Sequence, residues 1–207
     1  MARQGEDPGW TEVARLRAEV ASRRSPQDLR ALQVELLRLA GDPRGRRVLD
    51  LGCGGGALAR RLAERGGDVT AVDPDPDAIE QARRDAAGLD PGDRLQFLRV
   101  DPADPESLPR GPFDLVVVHG AGLEAPLRNV VRCARRGGRV LIGARHPYSG
   151  TPSDDRPLQA LFGSLREAGV RVVDVAEPAA DENGERRFLA LLAERPRRNR
   201  TRRPKAG

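Results

Sequence analysis

The sequence is poor in the side chains from which many enzymes draw their chemistry. Among its 207 residues lysine occurs once, at Lys205, histidine and cysteine twice each, and tryptophan and tyrosine once each. No lysine upstream of Lys205 means none to sit behind a Walker A phosphate loop, to form a Schiff base or to pair with a tyrosine in a reductase. Two histidines and two scattered cysteines give neither metal-ligand spacing nor a C-x-x-C pair, and no G-x-S-x-G elbow is present. Aromatic residues make up 3% of the chain, too few for a base-stacking surface. There is no apolar run of membrane-spanning length and no charged-then-apolar leader at Met1. Cytoplasmic residence is therefore expected, without a membrane partner and with Cys53 and Cys133 reduced and structural.

Arginine, by contrast, is plentiful, and its placement matters more than its number. Of 36 Lys and Arg, seven fall in residues 195–207, leaving 29 against 31 Asp and Glu. The part of the chain with apolar periodicity is thus close to neutral. A nucleic-acid-binding domain would carry a concentrated basic patch of its own. The Pro- and Arg-rich end predicts a disordered tail over 195–207 that aids solubility or serves as a phosphate-binding arm.

Periodicity places the elements. Trp10, Val13, Leu16 and Val20 recur at helical spacing, and Ser25-Pro26-Gln27-Asp28 supplies a cap, a first-turn proline and an early acid. A second amphipathic helix then runs through Leu29, Leu32, Leu36 and Leu37 to Gly41. From Arg46 strands alternate with helices: strands near 47–51, 68–73, 94–100, 113–118 and 139–144, helices near 56–66, 76–87, 123–135 and 157–168. Two β-rich runs follow, Val170 to Ala176 and Arg187 to Ala193, with the turn dipeptide Asn183-Gly184 between them. The pattern predicts one α/β domain, a doubly wound parallel sheet closed by an antiparallel hairpin. At this length it can bury a substantial core.

The segment Val48-Leu49-Asp50-Leu51-Gly52-Cys53-Gly54-Gly55-Gly56 is an apolar strand that ends in an acid and turns through glycines into a helix. Glycine has no Cβ and tolerates positive φ, so backbone amides there can approach a ligand that a side chain would exclude. Gly52, Gly54 and Ala57 satisfy the dinucleotide pattern G-x-G-x-x-G/A, while Asp50 with Gly52, Gly54 and Gly56 spells D-x-G-x-G-x-G. Asp50 favours the second spelling, because a carboxylate suits a ligand with a cationic amino acid part and sits poorly beneath a pyrophosphate. Asp73, at the end of the next strand, can accept both hydroxyls of a ribose under either spelling.

The second spelling resembles motif I of class I S-adenosylmethionine-dependent methyltransferases, and the likeness extends over Arg46 to Glu194. Asp73-Pro74-Asp75-Pro76 and the helix after it resemble the family's turn beyond strand 2. Leu95 to Asp101 resembles its third strand, Phe113 to Val118 its fourth and Gly137 to Ile142 its fifth. The resemblance implies a seven-stranded Rossmann-like methyltransferase sheet over 46–194, preceded by a helical lid over 1–45. It also implies S-adenosyl-L-methionine as cofactor, with Asp50, Gly52, Gly54 and Gly56 at the methionyl part, Asp73 at the ribose, Asp101 with Pro102 at the adenine edge, and Cys53, Pro74 and His119 also among the cofactor-binding residues. Pro102 departs from the family's usual small or acidic residue and offers no amide. No Asn-Pro-Pro-Tyr-like motif of amino methyltransferases appears, nor the Pro-Cys nucleophile of the cytosine C5 kind.

Both histidines follow strands whose carboxyl ends should face the reacting methyl. His119 follows strand 4, as a general base or as a wall of the adenosine pocket; His146, with Pro147 and Tyr148, follows strand 5, as a base or a loop former. Tyr148 reads as a pocket wall. The leading expectation is direct methyl transfer to an O or N atom of a small molecule. An RNA or protein methyltransferase docking through the tail, a non-catalytic cofactor-binding protein and, more distantly, a nicotinamide oxidoreductase remain open alternatives; nucleic acid is not the favoured partner, and oligomeric state is not readable from sequence.

Overall fold

Val48, Leu49 and Leu51, like Leu115 through Val118, put apolar side chains on successive positions, so both faces of these strands must be covered. A computed structural model describes residues 26–88, 94–102, 104–120, 126–145, 156–177 and 188–197 of the chain. Its strands are β1 (Arg47–Leu51), β2 (Asp68–Asp73), β3 (Leu95–Arg99), β4 (Phe113–Val118), β5 (Ala134–Arg145), β6 (Arg171–Ala176) and β7 (Phe188–Glu194). They form one seven-stranded sheet in the order β3-β2-β1-β4-β5-β7-β6. The first five pair in parallel, and β7 runs antiparallel to both β5 and β6.

Alternating side chains feed two cores. On one face Leu49, Leu51, Val116, Val118 and Ile142 pack with Leu127 and Val130 of helix α4 (Leu127–Cys133) and Leu165 of α5 (Arg156–Glu167). On the other, Val48, Val69, Leu115 and Leu141 meet Leu58 and Leu62 of α2 (Ala57–Glu64) and Ile79 of α3 (Pro76–Ala86). Asp75 caps α3 by accepting from the amide of Asp77 at 2.9 Å, with Pro76 in the first turn where its missing N–H is not needed.

Two expectations meet a different arrangement. The second N-terminal helix, expected as part of a lid, is α1 (Pro26–Ala40), and it lies on the flat of the sheet. Leu32, Leu36 and Leu37 join the core with Leu141 and Leu192, and Arg139 donates to the carbonyls of Leu39 at 2.8 Å and Ala40 at 3.3 Å, satisfying the helix's C-terminal acceptors. The helix expected around Trp10 to Val20 lies outside the described residues. Strand β5 begins at Ala134 instead of 139 because Phe113 pairs with Ala134 before the register breaks to Leu115 against Arg139, and Gly137 takes a φ of 75° in the bulge.

Arg195, the residue expected to open the tail, is bonded into the domain. The Arg195 guanidinium donates to the carbonyls of Val131, Arg132 and Ala134 at the end of α4, and its backbone exchanges hydrogen bonds with Gly137 and Gly138. Residues 198–207 lie outside the described residues. Among the described residues no helix is long and apolar enough to cross a membrane.

Candidate cofactor-binding site

The sheet order reverses between β1 and β4: the chain leaves β1 toward β2 and β3, then returns to place β4 on the other side. Open α/β sheets bind ligands at such a switch point, outside the carboxyl ends of the strands. The glycine turn, Asp73, Asp101 and His119 all follow from that placement.

The turn folds on backbone bonds. The amides of Gly52 and Cys53 both donate to the carbonyl of Val72, at 2.8 and 3.0 Å, which ties the loop to the end of β2. Gly52, Gly54 and Gly56 adopt φ of 82°, 52° and 73°, a region side chains rarely enter. Gly56 is also fixed by space, since a Cβ there would lie 2.6 Å from the Phe97 ring and 3.0 Å from the Ala82 methyl. Gly56 caps α2 without a side-chain bond, which leaves the first-turn amides and the positive end of the helix dipole open.

Asp73 holds the loop with the same carboxylate expected to hold a ribose. Its Oδ2 accepts from the amide of Gly54 at 2.9 Å and its Oδ1 from that of Asp75 at 3.0 Å. A carboxylate has about four acceptor directions, so two stay available for vicinal hydroxyls. Pro74 is half-buried, and its carbonyl accepts from Arg99 at 3.3 Å. The backbone ties Val100 to Asp73 at 3.1 Å, bringing exposed Asp101 and buried Pro102 to the same edge. Ser107 donates to the Asp101 carbonyl at 2.6 Å and shapes that turn.

Asp50 is fully buried at the end of β1. Its Oδ1 lies 2.8 Å from Nε2 of His119, and its Oδ2 has no hydrogen-bond partner among the described residues. His119 is placed by β4, its amide donating to the Leu51 carbonyl at 3.0 Å. Burial pushes the imidazole pKa down, but the Asp50 charge, their hydrogen bond and the nearby Asp73 outweigh it, so the net shift is upward. The thiol of Cys53 is pushed far up by burial and by the carboxylates of Asp50 and Asp73, which keeps it protonated and inert.

An unsatisfied buried carboxylate oxygen is costly. A cationic amino group is the donor that relieves it, and the open amides, the glycine cradle and the free acceptor directions of Asp73 complete a site that fits S-adenosylmethionine. His146 and Tyr148 lie outside the described residues. Sequence reading missed Gly120, which at φ 51° would bring a Cβ within 3.1 Å of the Gly52 carbonyl and so lets the β4 loop close against the glycine turn. A glycine directly after the strand-4 histidine was the signal available. Among the described residues no group of His, Cys, Asp and Glu is arranged to hold a metal.

A mixed seven-stranded sheet with a glycine turn and two strand-end acids defines the class I methyltransferase fold. Residues 48–141 match the family model described as "Methyltransferase domain", so that region is similar to the class I S-adenosylmethionine-dependent methyltransferases. It is 38% identical over 78 residues to a ubiquinone biosynthesis O-methyltransferase of Bordetella avium, covering 38% of this chain and 32% of that protein. It is 34% identical over 103 residues to the Aeromonas salmonicida protein of the same name, covering 47% and 42%. The chain thus spans about a third to two-fifths of the length of these two relatives. In fold it resembles an S-adenosylmethionine-dependent methyltransferase of Thiobacillus denitrificans solved with S-adenosyl-L-homocysteine. The TM-score is 0.59 at 19% identity, over 83% of this chain and 92% of that one.

Proposed function

We propose that the chain transfers a methyl group from S-adenosylmethionine to an oxygen or nitrogen of a small molecule, by direct in-line displacement. The observation that carries this reading is the divided carboxylate of Asp50: one oxygen orients His119 and the other awaits a cation. When bound, the cofactor supplies an already activated sulfonium methyl. The chain's own work is then to hold the methionyl amino group on Asp50 and the glycine amides, the ribose on Asp73 and the adenine against Asp101 and Pro102. Water exclusion and alignment of the acceptor supply much of the rate.

An acceptor hydroxyl or protonated amine must also lose a proton. With Nε2 engaged by Asp50, Nδ1 of His119 is the nitrogen without a partner among the described residues, and it takes that proton. The two relatives named as ubiquinone biosynthesis O-methyltransferases support a small hydroxylated acceptor. So does the near-neutral charge of the chain outside its basic end.

Native mass spectrometry for a bound adenosyl ligand, followed by turnover assays on a panel of small phenols, alcohols and amines, tests the reading. Methylated product with S-adenosylhomocysteine release supports it. Tight cofactor binding without turnover on the panel overturns the assignment of a small acceptor. Turnover confined to RNA or protein does the same.

A further inference from the structure

At the amino ends of the parallel strands, the pole opposite the cofactor crevice, a cavity of about 360 Å³ lies between the segment leading into β4 and helix α4. Leu108 and Pro109 form an apolar wall, Asn129 lines it from the helix, and Glu106, Arg110 and Arg132 bring charge. Six residues of extended β4 separate it from His119, on the order of 20 Å.

The arginines of this pole fall into two sets. Arg135 is engaged with Asp114, and Arg195 with three carbonyls at the end of α4. Arg110 and Arg132, the two that line the cavity, have no carboxylate or carbonyl partner among the described residues. Asn129 is 6% exposed, and its amide nitrogen is buried without a hydrogen-bond partner among the described residues. Buried side-chain amides are rarely left so. Turning the amide about its own axis exchanges its two ends, so either a donor or an acceptor can be presented to the cavity.

We propose that this cavity is a second ligand site, for a small organic anion: a carboxylate or phosphate carried on a body with one apolar face. The anionic group lies between Arg110 and Arg132, the apolar face against Leu108 and Pro109, and a polar atom of the body meets the amide of Asn129. Glu106 takes a hydroxyl or amino group and selects against a ligand that is anionic throughout. A bare anion gains little from solvated guanidinium groups, so the apolar wall and the amide are what make the site selective. This goes beyond methyl transfer, because the site shares no residue with the cofactor crevice.

Isothermal titration of the full chain with sodium benzoate, phenyl phosphate and inorganic phosphate, with and without saturating S-adenosylhomocysteine, tests the assignment. Benzoate or phenyl phosphate should bind at or below about 10 mM, the weak end expected of a fragment. The preferred one of the two identifies the anion. Affinity should fall about tenfold in both Arg110→Gln and Arg132→Gln, as for loss of one charge-assisted contact. Arg128→Gln, on the same helix but away from the cavity wall, should leave it unchanged. Retained S-adenosylhomocysteine affinity shows that each variant is folded. No binding of either aromatic anion overturns the proposal. So do displacement by S-adenosylhomocysteine, equal loss in Arg128→Gln, and inorganic phosphate binding as tightly as phenyl phosphate.

Discussion

Nε2 of His119 and Oδ1 of Asp50 lie 2.8 Å apart across the β1–β4 boundary, with the carboxylate fully buried and the histidine side chain 14% exposed. The pair joins the acid that ends one strand to the residue that follows the next. It fixes the imidazole's orientation, and under the proposed function Asp50 would act both on the cofactor's cation and on the base.

The pH profile follows from the sign of the shift. His119 is held above its ordinary value near 6.5, so the neutral imidazole forms only as pH rises through that raised value. Turnover should therefore fall on the acid side with a midpoint above pH 6.5. In Asp50→Asn the charge is gone while a neutral acceptor remains, and burial, the largest influence on the imidazole, dominates, so the midpoint should move below 6.5. A profile unmoved by Asp50→Asn, at saturating cofactor, would remove the pair from the mechanism. Stability tracks the same group: the pair's contribution is fully present below the unfolded pKa and is lost as pH rises through the raised one. His119→Gln should flatten that part of the melting profile. As a base, His119→Ala should lower kcat by roughly 10²- to 10⁴-fold with cofactor affinity little changed, whereas a pocket-wall role gives the reverse.

Asp73 carries two loads, and its variants should show both. Asp73→Ala removes the acceptors for the amides of Gly54 and Asp75 and those proposed for the ribose. Binding of S-adenosylhomocysteine should weaken by about 1.5–3 kcal/mol, the range for hydrogen bonds to a charged group. Thermal stability should also drop, because two loop amides lose their partner. Titration calorimetry and a melting curve read the two effects separately; unchanged affinity would take Asp73 out of the site.

The parallel strands were legible because they are buried on both faces and announce themselves as short apolar runs, and the glycine turn because positive φ demands its residue type. The N-terminal edge of β5 was not. Ala134 and the bulge over Arg135 to Gly138 are set by pairing with Phe113 and by the backbone of Arg195, contacts reaching far along the chain. Asp50 and His119 were each singled out, but not as a pair. They stand 69 residues apart, and only the register of β1 on β4, with Leu51 opposite Val118, brings them together. Helix α1 shows the opposite failure: its amphipathic stripe was plain, but an apolar face does not say which surface will cover it, and Leu36 found Gly143 of β5.

Gly56→Ala tests how far the cradle depends on that glycine. The added methyl meets the Phe97 ring at 2.6 Å while the backbone sits at φ 73°. A left-handed conformation costs an L-residue about 1–2 kcal/mol, and overpacking adds about 1–3. The melting temperature should fall by roughly 5–15 °C at about 2–4 °C per kcal/mol. Gly55→Ala is the matched control, since a Cβ there meets only the Gln81 side chain at 4.0 Å, and it should melt near the parent. Equal melting of the two variants would show that Gly56 is chosen for ligand approach alone.

The basic end gives the sharpest correction to a reading by composition. Counted by residue type, everything from Arg195 onward belongs to one tail, and a chain ending at Glu194 should melt like the parent. Arg195 instead closes the domain. Its guanidinium binds three carbonyls where α4 passes into β5, and its backbone pairs with Gly137 and Gly138. Burial, with Arg136 and Arg132 close by, lowers its pKa, yet no shift of that kind neutralises an arginine near pH 7. A chain ending at Glu194 loses all of these bonds and should be less stable by about 1–3 kcal/mol, allowing for the partial exposure of the side chain. A chain ending at Arg197 keeps them and should match the parent in melting and in S-adenosylhomocysteine affinity. Arg195→Ala in the full chain separates the guanidinium from the backbone pairing and should fall between the two. If the chain ending at Glu194 melts with the one ending at Arg197, Arg195 is a surface residue after all and the boundary belongs where composition put it.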